Sequence, residues 1–267
     1  DPGPHFPLML KENHMKISKM LLAGAACGMV AGAAFAQDAE DPAVRRAKSE
    51  VTEIWEPVPA LVATPEGQPP SDAVVLFDGT NLDAWESAKE GPAEWLVADG
   101  AMSVARGKGD IRTKDSFCDA QLHIEWRSPP NDQGHNGQDR GNSGVFLQER
   151  YEVQVLDSTD NPTYVNGQAG SIYKQHPPLV NVSRGPEAWQ TYDIIFTAPI
   201  FAEDGSLRVP GHVTVLHNGV VVQNHAQLQG PTEWIGYPSY KAHDCAPIKL
   251  QDHDADVSYR NIWIRPL

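Results

Sequence analysis

The stretch GNSGVFLQERYEVQVLDS, Gly141 to Ser158, places two polar side chains in the middle of what otherwise reads as a buried strand. Residues two apart on an extended chain share a face, so Tyr151, Val153 and Val155 point one way and Glu152 and Gln154 the other. The pattern recurs in QLHIEWR, where Leu122, Ile124 and Trp126 oppose His123, Glu125 and Arg127. It recurs near the C-terminus, where Leu250 alternates with Gln251 and His253 lies two residues further on. Antiparallel sheets ordinarily leave one face to solvent, and a solvated face is the plain explanation of all three. Exposed faces, however, usually carry Thr, Lys and Ser. Glu with Gln, His with Glu and Arg, and Gln with His suit a concave floor that grips hydroxyl groups.

Neighbouring residues extend that floor. The loop QDRGNSG supplies Arg140 and Asn142 just before the strand, and Lys174 follows GSIY. The run DHDAD, Asp252 to Asp256, holds three aspartates and a histidine but lacks the spacing of a calcium loop. No nucleophile elbow, zinc-protease helix, dinucleotide fingerprint or phosphate loop occurs. Glu152 and Asp157 approximate the carboxylate spacing of laminarinase-like hydrolases. On a regular strand that odd offset faces the two groups apart and separates their backbones by roughly 16 Å, whereas retaining hydrolysis needs carboxyls about 5 to 5.5 Å apart. Trp85, Trp95 and Trp189 are candidates for a sugar-stacking platform or, more simply, for the core.

These residues need strands to position them, and the composition supplies them. The chain has 267 residues, with 22 glycines and 22 prolines, and little apolar sequence at helical spacing. Strands are expected at 74–77, 95–98, 101–104, 120–127, 143–148, 151–156 and 190–197. Asn218-Gly219 between two β-branched runs predicts a type I′ hairpin, and PIKLQDH and VSYRNIWIRPL supply the last strands. Short strands punctuated by turns indicate an all-β fold, a two-sheet antiparallel jelly-roll sandwich of concanavalin A-like type over 72–267. Before it, 37–71 reads as a short helix starting at Asp41-Pro42, with Val44, Ala47, Val51 and Ile54 at helical spacing, and then a proline-rich arm.

Residues 15–36 match a signal peptide, with Lys16 and Lys19, an apolar run from Met20 and Ala34-Phe35-Ala36 at the cleavage site. Residues 1–14 precede it as upstream sequence. Cleavage after Ala36 predicts a periplasmic or secreted protein with no integral membrane segment. Cys27 lacks the aliphatic residue three positions earlier that favours a lipoprotein. Export leaves Cys118 and Cys245, an even pair in an oxidising compartment, whose pairing the sequence leaves open. The net charge of −14 becomes −15 without the leader, 18 basic against 33 acidic side chains. A chain so acidic and without a basic stretch is unsuited to nucleic acid or anionic lipid.

Taken in order, VVLFDGTNLDAWE, QLHIEWRSP, GNSGVFLQERYEVQVLDS, GSIYK, WQTYDIIFTAP and PIKLQDHDADVSYRNIWIRPL resemble the 3-keto-disaccharide hydrolase family from about Asp72 to Leu267. The resemblance implies a concanavalin- or laminin-G-like sandwich, secreted or periplasmic, acting on glycosides oxidised at C3. A C3 ketone acidifies the C2 hydrogen. A base can then remove it, the enolate can expel the C1 substituent, and water can add to the unsaturated ketone. Such chemistry needs a base, an oxyanion-stabilising group and an acid. Among the residues at hand, Glu152 or His253 would serve as base and acid, with Glu125 as a second-rank candidate. Arg127, Arg140, Asn142, Gln154 and Lys174 would bind hydroxyls or the enolate.

The sequence establishes no cofactor; a divalent ion held by His and carboxylate is the one this chemistry admits. No nicotinamide motif is present, so a separate sugar 3-oxidoreductase must act upstream to make the oxidised glycoside. The family often has Gly after the histidine of LQDH, where this chain has Asp254, a departure that bears on local metal or substrate contacts. Two other functions fit the same residues: conventional glycoside hydrolysis by paired carboxylates, and a non-catalytic lectin-like module.

Overall fold

The computed structural model describes residues 40–131 and 134–267, so the leader expected at 15–36, the segment 1–14 and Cys27 lie outside the described residues. The chain divides between Pro59 and Ala60. In the first part, α1 (Pro42–Glu50) starts as its sequence dictates, with proline in the first turn and the Asp41 carboxylate accepting the Ala43 N–H at 2.8 Å. The helix ends before Val51 and Ile54, both exposed, although their spacing continues its apolar stripe. No residue of α1 is buried, so no core rewards a further turn. Among the described residues no helix is long and apolar enough to cross a membrane.

The second part is the antiparallel sandwich expected from the alternation. Its strands are β1 (Val74–Phe77), β2 (Trp85–Ser87), β3 (Leu96–Ala98), β4 (Ala101–Ser103), β5 (Ile111–Thr113), β6 (Ala120–Arg127), β7 (Ser143–Leu147), β8 (Tyr151–Val155) and β9 (Gln190–Thr197). They continue with β10 (Ile200–Phe201), β11 (Leu207–Val209), β12 (His212–His217), β13 (Val220–Gln227), β14 (Lys249–Leu250) and β15 (Ser258–Pro266). The larger sheet runs β13-β12-β9-β6-β15-β4-β3, with β1 also on β15; the smaller runs β2-β5-β14-β7-β8; β10 and β11 form a separate pair. Asn218 and Gly219, at φ 52° and 79°, make the turn between β12 and β13.

The core lies between the sheets. Leu122, Ile124 and Trp126 from β6 and Tyr192, Ile194 and Phe196 from β9 join Val145, Leu147, Tyr151, Val153 and Val155 of the smaller sheet. Two core tyrosines also tie the layers by hydrogen bonds. Tyr192 donates to the Gln154 carbonyl at 2.7 Å, and Tyr259 donates to Ser143 Oγ at 2.6 Å. Ser143 Oγ in turn donates to the Gln251 carbonyl at 2.6 Å. These bonds anchor the backbone of β7 and β8 from within, and the outward side chains of those strands therefore face a fixed direction.

Cys118 and Cys245 are bonded, with Cα atoms 4.9 Å apart, and join the start of β6 to the segment before β14. The bond closes a separation of 127 residues. Constraining so long a loop in the unfolded chain contributes about 3 to 5 kcal/mol. The double variant Cys118→Ala, Cys245→Ala is expected to lose that amount in urea unfolding; an unchanged midpoint would show that the bond does not hold the sandwich.

Candidate active site

The outward face of the smaller sheet carries one continuous row of side chains. Register pairs Glu86 with Arg112, Arg112 with Lys249, Lys249 with Phe146, and Phe146 with Glu152. Most charges in the row are matched. Arg112 Nε lies 2.9 Å from Glu86, and Lys249 Nζ lies 3.1 Å from Asp110 while resting 4.1 Å above the Phe146 ring. At the end of the row Glu152 is only 5% exposed, and among the described residues burial and the charges of Lys249 and Asp110, with no hydrogen bond, set the state of its carboxyl. Burial pushes its pKa up to about 8; Lys249 draws it down and Asp110 adds to the rise.

Gly144 makes this arrangement possible. It pairs with Gln154 on β8, and a Cβ placed on it would collide with Glu152 Oε1 and with the Phe146 ring. The carboxyl thus fills space that any other residue at 144 would occupy. Gln154, 1% exposed, donates from Nε2 to Asn142 Oδ1 at 2.8 Å and to the Ser143 carbonyl at 3.1 Å. Asn142 Nδ2 donates to the Gln138 carbonyl at 2.8 Å, fastening the preceding loop.

Glu152, Gln154, Asn142 and His253 line one cavity of about 530 Å³, with Gln251 beside them. The sequence reading thus brings together its first-choice carboxylate, its amides and its histidine. His253 stands exposed at the rim, where a second cavity of about 420 Å³ begins. Among the lining residues that were not sequence candidates are Tyr164, Tyr173, Thr232 and Trp234. The two tyrosine hydroxyls lie 2.8 Å apart, and burial raises the pKa of both, so they remain hydrogen-bond donors at neutral pH. Thr232 Oγ1 accepts the Glu152 backbone N–H at 3.2 Å. Trp234 is 72% exposed beside the cavity. These residues come from irregular segments without strand periodicity, and only the quoted GSIYK contained one of them.

The remaining candidates lie outside this cavity. Glu125 and Arg127 lie on β6 of the larger sheet and point outward, on the opposite side of the sandwich from Glu152. The Glu125 carboxylate accepts from Arg260 at 2.6 Å and Asn261 at 2.9 Å, an arrangement that outweighs its burial and lowers its pKa. Arg127 and Arg260 flank the Trp189 ring at 4.8 and 4.1 Å. Both residues therefore belong to a structural cluster on that outer face. Lys174 donates to the Trp234 carbonyl at 2.8 Å and so positions that loop. Arg140 pairs with buried Asp157 at 2.7 Å and faces the second cavity.

The two carboxyls of the laminarinase-like reading do not meet, because Asp157 is 1% exposed and held by Arg140, outside the Glu152 cavity. Trp85 and Trp95 are core residues, their indole N–H groups donating to the carbonyls of Leu76 and Gly109. The acids of DHDAD have local duties. Asp252 accepts the Gly109 and Asp254 N–H groups, and Asp256 binds Arg106 through two hydrogen bonds. Among the described residues no three His, Cys, Asp or Glu side chains gather closely enough to hold a metal ion.

The chain matches the 3-keto-alpha-glucoside-1,2-lyase-like domain over residues 72–265 and belongs to that family. A candidate glycosyl hydrolase from Parabacteroides distasonis is 56% identical, with 82% of this chain and 96% of that one covered and a TM-score of 0.78. A second from the same organism is 18% identical, covers 73% of this chain and 94% of its own, and shares the fold at a TM-score of 0.53. No curated protein matches the chain. The family and the sandwich fold make this a carbohydrate-active enzyme domain.

A pH consequence follows from Glu152. Its folded pKa stands above the unfolded carboxylate value of 4.5, so its contribution to stability is complete below that value. The contribution is lost as pH rises to about 8. Glu152→Gln is therefore expected to gain thermal stability relative to wild type across this window; a difference independent of pH would contradict the raised pKa.

Proposed function

We propose that this domain cleaves glycosides whose ring carries a ketone at C3, by elimination across C1 and C2 followed by addition of water. The observation that carries this reading is Glu152, a carboxyl in a polar cavity whose pKa is raised by burial to about 8. A free carboxylate is too weak a base for a carbon acid, and a desolvated one is stronger. Glu152 takes the C2 proton, and the C2–H electrons delocalise into the ketone as an enolate. Tyr164 and Tyr173 share one hydrogen bond, and the hydroxyl that accepts it donates its own proton to the enolate oxygen. As the ketone re-forms, C1=C2 forms and the C1–O bond breaks, with His253 supplying the proton to the departing oxygen. Water then adds at C1 and C2 regains a proton, which leaves a free 3-keto sugar and the released alcohol.

Several features support this over the alternatives. A lectin has no use for a desolvated carboxyl without a partner, and Asp157, the partner that laminarinase-like paired-carboxylate hydrolysis would need, lies outside the cavity. The ketone must come from a separate sugar 3-oxidoreductase, because the chain carries no nicotinamide motif. The leader at 15–36 and the Cys118–Cys245 bond support work in the periplasm or outside the cell. No step is routed through a metal ion, since the described residues provide no ligand cluster for one.

The test is an assay of the purified domain on a disaccharide and on its 3-keto form, with and without chelator. Cleavage of the keto form alone is expected, and cleavage of the unoxidised sugar would overturn the proposal. Loss of turnover on chelation would move the oxyanion role from the tyrosines to a metal ion. Glu152→Gln should fold and lose at least about a hundredfold in kcat, the scale of a missing general base. In wild type, kcat/KM should rise with pH and level off above about 8, because the base must be ionised. A flat profile, or near wild-type turnover in Glu152→Gln, would mean that another group takes the proton.

A further inference from the structure

Resting on that reading, we infer that the second cavity is the subsite for the leaving group, and that it takes an uncharged sugar ring. The two cavities, of about 530 and 420 Å³, share His253 and Asp139 as a common wall. The oxidised ring must put C2 against Glu152, which fixes it in the first cavity. C1 is the next atom, so the bond to be broken lies toward the shared wall, and whatever is attached through the C1 oxygen must extend past His253. Only a leaving group with bulk of its own would fill the space beyond.

The walls of that space select for neutral chemistry. Two arginines line it, and each is balanced by one carboxylate. Arg106 holds Asp256 through Nε at 2.7 Å and a terminal nitrogen at 2.9 Å, and Arg140 Nε lies 2.7 Å from the Asp157 carboxylate as an ion pair without a hydrogen bond. Asp139 and Asp254 add negative charge to the lining, and the exposed ring of Pro130 offers a flat apolar wall. A carboxylate on the leaving ring would meet two acids beyond those the arginines balance, whereas ring hydroxyls can donate to Asp139 and Asp254 and the ring face can lie on the proline.

The experiment uses Glu152→Gln, which should bind without turning over, and titrates it with a 3-keto disaccharide, the methyl 3-keto glycoside, and a disaccharide whose leaving ring is a uronate. The neutral disaccharide should bind about tenfold more tightly than the methyl glycoside, the ratio that 1.4 kcal/mol of added contact gives. The uronate should gain nothing. Adding Pro130→Trp, which fills the second cavity from an exposed position, should erase the disaccharide's advantage. Equal affinity for the disaccharide and the methyl glycoside, or an advantage that survives Pro130→Trp, would overturn the inference. Failure of the functional reading would look different: wild type would bind these ligands with the same ranking and leave them intact.

Discussion

Gly144 lies directly beneath the Glu152 carboxyl, and a side chain there would occupy the space the carboxyl fills. The rest of the site depends on this one steric allowance. A carboxyl removed from water and given no donor favours its neutral form, so the sheet must hold the group in place while withholding the hydrogen bonds that would make it an ordinary carboxylate. Backbone bonds do the holding. Tyr192 and Tyr259 reach up from the core to β8 and β7, and Thr232 and Ser171 accept the N–H groups of Glu152 and Gln154 along the outer edge of β8. The strand is fixed on both sides while the carboxyl is left unpaired.

The same sheet face separates matched charge from unmatched charge. Along the row from Glu86 to Glu152, Arg112 and Lys249 are drawn toward Glu86 and Asp110. Phe146 stands between Lys249 and Glu152 and takes the cation on its ring face. Lys249 is near enough to temper the rise in the Glu152 pKa and too well paired to abolish it. On the opposite side of the sandwich the polar residues of β6 show the reverse case. Glu125 has two donors and lies in a pKa-lowering environment. Two glutamates with the same alternation in sequence thus acquire opposite chemistry from their surroundings.

Period-two alternation made both sheets and the core legible in the sequence, and Asn218-Gly219 marked its turn because few other dipeptides accept positive φ at both positions. The short strands β2, β5, β10 and β11 carry too little pattern to read. The floor of the candidate cavity was legible through Glu152, Gln154, Asn142 and His253, because two lie on β8 and the others stand just before β7 and just after β14. Alternation names the face of a strand without naming the sheet to which the strand belongs, so Glu125 and Arg127 were grouped with Glu152 although they point the other way. Tyr164, Tyr173 and Trp234 enter from loops, where placement depends on long-range bonds such as that from Lys174 to the Trp234 carbonyl.

The claim that Glu152 removes a proton from carbon is tested most directly by the isotope effect at that carbon. The kcat/KM for a 3-keto disaccharide carrying deuterium at C2 is to be compared with that of its protium form. A primary isotope effect, with a hydrogen at C2 of the product drawn from solvent, is the predicted result. Equal rates for the two isotopologues, with the original deuterium retained at C2 of the product, would contradict the account, because the C1–O bond would then break without any proton leaving C2.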